Sequence, residues 1–588
     1  MLISSACIKG YRNLKEVNLK LNRLVIFIGD NNSGKSNLLK AMTLPFLNNE
    51  IGNVNKNLGW DDINNELKKA YFDFIKTNLE TIKQNELELI NFESIIPFVS
   101  VKVSFEPKGA DEFYVRKWNN SLEDAKALYQ IEYKYFVENP KQLLEHIINI
   151  MADKTEDDVD KLQLNLLPIE MFKYVILVPI TNEQVSFTDL TNFKYNSLAA
   201  ERDDFSNKNT QLGSQALVNL LQKKLGDEQK VKVEESYGNF FTDLKEISNL
   251  EGIFNWQDTS DIENAKEFFE QISLLPNMPS ISSLLNNVRL GVGDEYLHSQ
   301  GLGYRNLIYL LVMMNSLEVD KDIALNILTI EEPEAHLCLS NQRLLASFIN
   351  SNISSSEQTQ LFVSTHSSEF LSKLELKNVT VVKEGKAFSL TSVVEETDLN
   401  YLAKKPNLDF LKFLFSRKCI LVEGPSEEML IKSHLAFQRN MLNDIEVISL
   451  HKGFKHMLDI WLKVNDGTSH RIGIIRDFDN QPNAQQSHEE YNMHDNILVT
   501  TTTEYTLEPE FVETGENYNN LKKYFSKEHG WKDDEINTSI ALSDKWRKAK
   551  TDIMLKFCQD FGTGHLEDIK LPKHIERVLK FLQSGVKE

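Results

Sequence analysis

Two short apolar runs in the C-terminal third of the chain each end in carboxylates. Residues 419–422 precede Glu423, and residues 474–476 precede Asp477 and Asp479. Apolar runs of this length predict buried strands. If the two strands lie side by side, their terminal acids meet at one edge of a sheet. Crowded carboxylates repel one another unless a cation lies among them, and hard oxygen ligands favour Mg²⁺ or Mn²⁺.

Such a cluster has the chemistry of two-metal phosphodiester cleavage, in which one ion activates a water and the other stabilises the leaving oxygen. We expect Glu423 and Asp477 to bind the first ion and Asp479 to bind the second. Glu427 follows Glu423 by one helical turn, so it is expected to help to hold the second ion.

A glycine-rich loop near the N-terminus predicts a phosphate-binding site. Residues 29–36 fit the pattern Gly-x-x-x-x-Gly-Lys-Ser/Thr, directly after the apolar run Leu24–Ile28 and before a segment that predicts a helix. Backbone N–H groups of such a loop surround the phosphates of ATP, while the lysine reaches the β- and γ-oxygens and the serine binds Mg²⁺. The expected ATP-binding residues here are Gly29, Asn32, Gly34, Lys35 and Ser36. A chance glycine-rich turn is the alternative, and the flanking segments disfavour it.

A third apolar run, 327–330, ends in Glu331 and Glu332. Beside an ATP-binding loop, Glu331 is expected to bind the Mg²⁺ of the nucleotide and Glu332 to orient or deprotonate the attacking water. His366 follows the next apolar run, 361–363, and is expected to sense the γ-phosphate. The alternatives are a solvated strand end for the two glutamates and a structural role for the histidine.

The composition indicates a globular protein with ample core. The chain has 588 residues, of which 41% are hydrophobic and 26% are charged, and its net charge is −21. This charge argues against an all-basic surface, although a local groove of Lys and Arg can still bind nucleic acid. Four scattered cysteines indicate neither a zinc site nor a disulfide framework. The apolar run Leu307–Met314 is too short to span a bilayer, so we expect a cytoplasmic protein without membrane contact.

The remaining pattern predicts the elements that position these residues. Strands are predicted at 97–105 and 174–178, and an apolar helix at 307–317. Sustained heptads are absent between 106 and 290, which favours a compact helical arm over a coiled coil. A second α/β module begins near residue 413.

The loop at 29–36, the Glu-Glu-Pro-Glu sequence at 331–334 and the Ser-Thr-His sequence at 364–366 resemble the ABC-type ATPases of the SMC, RecF and Rad50 group. This resemblance implies a head-to-head dimer, in which a signature loop of one protomer closes over ATP held by the other. The candidate signature loop contains Ser299 and Gly301 as ATP contacts. Because it departs from the usual Leu-Ser-Gly-Gly-Gln, we expect ATP binding with slow hydrolysis at most.

The C-terminal module resembles the Toprim fold, in which an acid follows the first strand, a glycine lies near the second and Asp-x-Asp follows the third. Glu423, Gly453 and the pair Asp477 and Asp479 occupy these places. An ATPase head followed by such a module is similar to the OLD (overcoming lysogenization defect) nuclease family. That family includes the nuclease subunits of Gabija anti-phage systems and retron-associated effectors.

The resemblance implies an α/β fold with an ABC-type ATPase head over residues 1–390, which contains an inserted helical dimerisation arm at about 190–290. A linker over 391–412 and a Toprim domain with a helical C-terminal extension over 413–588 follow. A topoisomerase would need a tyrosine nucleophile in a separate DNA-gate domain, and a primase would lack this ATPase head.

Family members carry further acids and a lysine beyond the Asp-x-Asp pair. Glu508 and Glu510 stand where the acids are expected, and are the candidates for the second metal ion. Lys550 stands where the lysine is expected, and would stabilise charge in the transition state. A solvated basic helix face is the alternative for this lysine.

These expectations combine into an ATP-binding, ATPase-gated, divalent-metal-dependent DNA endonuclease of anti-phage defence, of either the retron or the Gabija type. The expected partners are DNA, a second copy in a homodimer or larger homo-oligomer, and either a reverse transcriptase with its msDNA or a UvrD-like helicase. The alternative function is an ATP-dependent DNA-binding or repair scaffold of the RecF or SMC kind, with a non-catalytic Toprim module.

Overall fold

The computed structural model describes residues 1–47, 55–121, 127–198, 212–247, 280–285, 288–318, 323–355, 357–404, 412–414, 416–437, 444–450, 453–563, 566 and 568–587. The strands are β1 (Leu2–Tyr11), β2 (Leu14–Lys20), β3 (Leu24–Ile28), β4 (Val99–Glu106), β5 (Tyr129–Val137), β6 (Phe172–Leu177), β7 (Phe193–Leu198), β8 (Gly291–Val292), β9 (Glu295–Tyr296), β10 (Leu325–Glu331), β11 (Thr359–Ser364), β12 (Val379–Lys383), β13 (Lys386–Ser389), β14 (Lys418–Val422), β15 (Ile445–Ser449), β16 (Arg471–Arg476) and β17 (Ile497–Thr501).

The α-helices of the N-terminal two thirds are Lys35–Thr43, Asn65–Thr77, Leu79–Lys83, Leu89–Ile95, Glu112–Val115, Pro140–Met151, Glu156–Val159, Gln163–Leu166, Phe187–Leu190, Leu212–Lys224, Asp227–Ile247, Ile281–Leu285, Leu302–Glu318, Leu339–Ser355, Ser368–Leu371 and Leu390–Val393. The later α-helices are Glu396–Lys404, Pro425–Phe437, Phe454–Asn465, Pro482–Glu489, Leu507–Glu513, Asn517–His529, Ser539–Lys548, Lys550–Gly562 and Lys573–Ser584.

A mixed sheet with the strand order β13-β12-β3-β11-β10-β7 forms the centre of the N-terminal part. Its neighbouring strands are parallel, except β12 and β13, which are antiparallel. Apolar clusters cover both of its faces, which explains why β3 is buried at every position. Because the carboxyl ends of parallel strands lie at one edge of a sheet, the loops after β3, β10 and β11 converge there.

An antiparallel sheet with the order β2-β1-β4-β5-β6 packs against the mixed sheet through a shared apolar cluster. The predictions of strands at 97–105 and 174–178 are confirmed by β4 and β6, but β5 was missed. Its burial nevertheless alternates residue by residue. This period of two is the sequence signal that could have identified the strand.

The C-terminal sheet has the order β15-β14-β16-β17 and is parallel throughout. Val422 pairs with Ile475, so the prediction that the two acid-ending strands lie side by side is confirmed. Helix Pro425–Phe437 covers one face of the sheet, and helix Phe454–Asn465 covers the other.

Part of the segment predicted as a helical arm, about 190–290, is a strand. Residues 193–198, within the expected arm, form β7 and pair with β10 at the edge of the mixed sheet. The long helices 212–224 and 227–247 follow, whereas 199–211 and 248–279 lie outside the described residues.

The segment 391–412, predicted as a linker, is packed over much of its length. It contains the helix Glu396–Lys404, whose Leu399 and Leu402 are buried in the same apolar cluster as β3 and β14. The mixed sheet and the C-terminal sheet therefore share one apolar core. Its burial is the main stabilising term in folding. No helix in the described ranges is both long and apolar enough to cross a membrane.

The C-terminal helix Lys573–Ser584 packs onto β16 at Gly473. A Cβ added to Gly473 would lie 2.2 Å from Cγ1 of Val578. We predict that Gly473→Ala destabilises the C-terminal module by about 1–3 kcal/mol through overpacking, measured by urea unfolding followed by tryptophan fluorescence. Val578→Ala in the same chain should recover part of this loss, whereas Val586→Ala at an exposed position should not. Equal stability of Gly473→Ala and the wild type would contradict this close packing.

Candidate functional site

A cavity of about 230 Å³ lies over the glycine-rich loop. The loop and two neighbouring strand ends line it with Asn31, Asn32, Gly34, Lys35, Ser36, Asn37, Glu332 and His366. Gly29 lies against β12, where a Cβ would be 2.0 Å from the carbonyl oxygen of Val382, so a larger residue does not fit. Glu331 is the last residue of β10. The structure thus brings the predicted nucleotide-binding residues of three strand ends together.

The side chain of Lys35 folds back onto its own loop. Its Nζ donates to the carbonyl oxygens of Gly29 at 2.9 Å and Asp30 at 2.8 Å. Burial lowers the pKa of Lys35 to about 8, although the carboxylates of Glu332 and Asp30 act in the opposite direction. Anionic phosphate oxygens in the cavity would stabilise the ammonium better than neutral carbonyl groups do.

Glu332 and His366 face each other across the cavity. Glu332 has a left-handed backbone, with φ of 44°, which is uncommon for a residue other than glycine. Its Oε1 lies 3.7 Å from Nε2 of His366. Burial, and then the charge of Lys35, lower the pKa of His366. A neutral imidazole next to a carboxylate can exchange hydrogen bonds with a phosphate oxygen or a water.

Glu334 was not among the predicted site residues, yet it holds the turn that carries His366. Its Oε1 accepts hydrogen bonds from Oγ1 of Thr365 at 2.7 Å and from the backbone N–H of His366 at 2.8 Å and Ser367 at 3.2 Å. Burial raises the pKa of Glu334 against the effect of these bonds. In the sequence, the indication of this role was the position of Glu334 as the last acid of Glu-Glu-Pro-Glu at 331–334.

The candidate signature loop lies before the helix Leu302–Glu318. Oγ of Ser299 donates to the carbonyl oxygen of Tyr296 at 2.7 Å. Among the described residues that line the nucleotide cavity, neither Ser299 nor Gly301 is present. Their contact with ATP would need a second protomer, and it stays a prediction.

Glu423 follows β14 directly and is half-buried. Burial raises its pKa, and the charges of Asp479 and Glu427 add to the rise. The backbone N–H of Asp477, which donates to the Glu423 carboxylate, and the charge of Arg476 lower it. The acids that the sequence places at the ends of β14 and β16 are therefore close enough to repel one another.

The loop after β16 is held by the loop after β17. The N–H of Phe478 donates to Oγ1 of Thr502 at 2.9 Å, and the N–H of Asp479 donates to the carbonyl oxygen of Tyr505 at 3.1 Å. Asp479 and Asn480 have φ values of 50° and 54°, a conformation that Asp and Asn tolerate better than other residues with a side chain. This turn keeps Asp479 near Glu423.

Two further predicted acids are buried at the same edge of the sheet. Glu427 is 3% exposed in the helix Pro425–Phe437, and Glu508 is 2% exposed in the first turn of the helix Leu507–Glu513, which follows β17. Oγ1 of Thr506 donates to Oε2 of Glu508 at 2.9 Å. Their roles as metal ligands stay predictions.

Glu510 has a different role. Its Oε1 lies 2.7 Å from Nδ1 of His574, and its Oε2 accepts from the N–H of Thr503 at 2.7 Å. Burial raises the pKa of Glu510, but these hydrogen bonds and the charge of His574 outweigh it, so the pKa is lowered. Both oxygens have protein partners, so Glu510 anchors the C-terminal helix, and its role as a ligand of the second metal ion stays a prediction.

Lys550 begins the helix Lys550–Gly562, but its side chain lies outside the described residues, so its catalytic role stays a prediction. The preceding helix does reach the site. The guanidinium of Arg547 lies 6.0 Å from the ring centre of Tyr505, whose carbonyl oxygen binds the N–H of Asp479.

The described acids at the edge of the C-terminal sheet lie near one another but do not form a complete set of metal ligands. Across the described ranges, no group of three or more His, Cys, Asp or Glu side chains is arranged to hold a metal ion. Their donor atoms are nevertheless the hard oxygens that Mg²⁺ and Mn²⁺ take. The residues therefore fit such an ion by the chemistry of their donor atoms.

A buried contact joins the nucleotide loop to the C-terminal sheet. Oδ2 of Asp30 lies 3.2 Å from Nε2 of His470, whose side chain is 1% exposed. His470 immediately precedes β16, the strand that leads to Asp477.

The turn between β12 and β13 extends this contact. Nζ of Lys383 donates to Oδ1 of Asn465, and Glu384 accepts from the N–H of Ser469 at 3.2 Å and from its hydroxyl. Burial lowers the pKa of Lys383 to about 8. No sequence motif indicated this junction.

Fold and cavity define a nucleotide-binding ATPase head that is joined to a parallel α/β module. The family model for the AAA ATPase domain matches residues 1–371. This match covers more than half of the chain, so the protein belongs to that AAA ATPase family.

Two curated relatives match most of the chain. Endonuclease GajA of Bacillus cereus (strain VD045) is 23% identical over 443 residues, which are 74% of this chain and 68% of that protein. Endonuclease GajA of Bacillus cereus (strain HuB5-5) is 24% identical over 565 residues, 81% of this chain and 74% of that protein. The SMC head domain from Thermotoga maritima covers 66% of this chain and 98% of its own, with 12% identity and a TM-score of 0.30. A TM-score this low carries no argument.

The depressed pKa of Lys35 predicts proton uptake when ATP binds. Below a pH of about 8 the lysine is already protonated, so uptake through it should be near zero at pH 7. At pH 9 the free lysine is largely neutral, and the phosphates should restore its proton, giving an uptake approaching one. Calorimetric titrations in buffers of different ionisation enthalpy measure this number. Lys35→Arg, whose side chain stays charged, should show no such rise, and equal uptake by the wild type at both pH values would contradict the prediction.

Proposed function

We propose that this protein is an ATP-controlled, divalent-metal-dependent DNA endonuclease of the OLD type, with a C-terminal Toprim module, acting in anti-phage defence. The match of most of the chain to two proteins named endonuclease GajA supports the activity. The parallel pairing of β14 with β16, which makes neighbours of Glu423 and Asp477, is the observation that carries the proposal.

The metal ions would be held by carboxylates at this edge, namely Glu423, Glu427, Asp477, Asp479 and Glu508. Mutual repulsion of the Glu423, Asp479 and Glu427 charges favours binding of a cation, since a cation between them removes the repulsion. Mg²⁺ or Mn²⁺ at such a site supplies an activated water and stabilises the leaving oxygen. The carboxylates of the chain would position the ions and, through their burial, would limit the access of bulk water.

Control by ATP is supported by the junction between the two sheets. Asp30 belongs to the nucleotide loop, and its partner His470 directly precedes β16, the strand that leads to Asp477. A movement of the loop on nucleotide binding would therefore act directly on β16. Coupling of this kind requires that the two states of the loop differ in their contacts.

A second candidate function is an ATP-dependent DNA-binding or repair scaffold with a non-catalytic Toprim module. The absence, within the described ranges, of a finished group of metal ligands favours it. Both functions would involve DNA and a homodimer or larger homo-oligomer. For the endonuclease we further propose a cytoplasmic defence system in which either a reverse transcriptase with its msDNA or a UvrD-like helicase is the partner.

We predict that Glu423→Ala abolishes metal-dependent nicking, because one carboxylate of the cluster is lost. The rate of plasmid nicking with Mg²⁺ or Mn²⁺ should fall at least about 100-fold, while ATP affinity stays unchanged. Glu446→Ala, a half-exposed acid on the neighbouring strand β15, is the matched control and should nick like the wild type. Undiminished nicking by Glu423→Ala would exclude this site, and no nicking by the wild type would favour the scaffold.

The contact between Asp30 and His470 leads us to predict a variant that still binds ATP but whose nicking rate no longer responds to ATP. In His470→Ala the contact with Asp30 is lost, so the ratio of nicking rates with and without ATP should move towards one. ATP affinity should change less than about threefold, since His470 does not line the cavity. His146→Ala, outside the junction, should keep the wild-type ratio. A wild-type ratio in His470→Ala would show that the control takes another route.

A further inference from the structure

Arg476, the last residue of β16, is buried with unsatisfied donors. It is 5% exposed, and its Nε and Nη1 have no hydrogen-bond partner in the part of the chain that the structure describes. Charged donors left without acceptors in a protein interior are costly. Where such a group occurs in a native structure, a bound water or ion or a catalytic role is among the explanations.

The strand register puts Arg476 beside the acid cluster. β14 and β16 are parallel with Val422 opposite Ile475, so the next position along each strand brings Glu423 opposite Arg476. Paired neighbours share a face of the sheet. The charge of Arg476 also lowers the pKa of Glu423, which agrees with this proximity.

A phosphate group is the ligand that matches these donors. The acids at this edge repel the anionic backbone of DNA, so any phosphate that approaches them needs positive charge close by. A guanidinium supplies permanent charge and several N–H donors suited to phosphate oxygens. A neutral ligand would form weaker hydrogen bonds with the guanidinium than the anionic oxygens of a phosphate do.

We propose that Arg476 binds a non-bridging oxygen of the DNA phosphodiester at the carboxylate cluster, and is therefore a catalytic residue. This inference rests on the proposed endonuclease function of the same site. Arg476 would hold the phosphate while the acids hold the metal ions, so the two kinds of residue would have separable effects.

DNA binding at different salt concentrations tests the inference. With Ca²⁺ in place of Mg²⁺, the affinity for a labelled DNA duplex should fall with the logarithm of salt concentration. Arg476→Gln should reduce that slope by about 1, the value for one lost phosphate contact, and should lower the Mg²⁺-dependent nicking rate about 100- to 1,000-fold. Arg476→Lys keeps the charge and should keep the slope. Arg577→Gln removes an exposed charge from the C-terminal helix and should change neither quantity.

The outcomes separate this inference from the proposed function. Wild-type nicking and an unchanged slope in Arg476→Gln would overturn the phosphate contact and leave the endonuclease intact. A reduced slope with no nicking by the wild type would support the contact and refute the endonuclease. If Arg476→Gln does not fold, Arg476→Lys is the deciding variant. It keeps the positive charge, so a salt slope of DNA binding reduced by about 1 in Arg476→Lys would overturn the proposal that this charge binds the phosphate.

Discussion

Both candidate sites depend on one geometric constraint, which is that parallel strands end at the same edge of a sheet. In the mixed sheet β3, β11 and β10 are neighbours, so Lys35, His366 and Glu332 meet around one cavity despite their distance along the chain. In the C-terminal sheet the neighbours are β14 and β16, and Glu423 meets Asp477 in the same way. The chemistry of each site is therefore decided by the strand order, and each strand needs only to end in a suitable residue.

The two edges are coupled because the sheets share a core and a polar junction. Apolar residues of β3 and β14 lie in one cluster, which leaves little freedom for the sheets to separate. Within this apolar surrounding, Asp30, His470 and Lys383 satisfy one another through buried contacts. Leaving these buried polar groups unpaired would cost free energy. When the nucleotide loop moves, His470 and Lys383 therefore have to move with it. This gives the proposed ATP-controlled endonuclease a physical route between its two sites.

In both sites the acids have two different roles. In each, one acid has a left-handed backbone, Glu332 with φ of 44° and Asp479 with φ of 50°, and such conformations persist only where the surroundings enforce them. In each, a second acid holds a neighbouring loop, Glu334 through the turn of His366 and Glu510 through Thr503 and His574. The anchoring acids keep the surroundings rigid, and this rigidity maintains the strained backbone of Glu332 and Asp479 at the two candidate sites.

The sequence by itself determined the nucleotide loop and the apolar strands that end in acids, because these follow from local spacing and hydrophobic period. The missed strand β5 also carried a local signal in its alternation. Only the tertiary structure decided that Asp30 contacts His470, that Glu510 binds His574 and that Arg476 is buried with unsatisfied donors. These facts depend on side chains from segments that are far apart in the chain. The spacing of those residues in the sequence does not indicate that the folded chain brings them together.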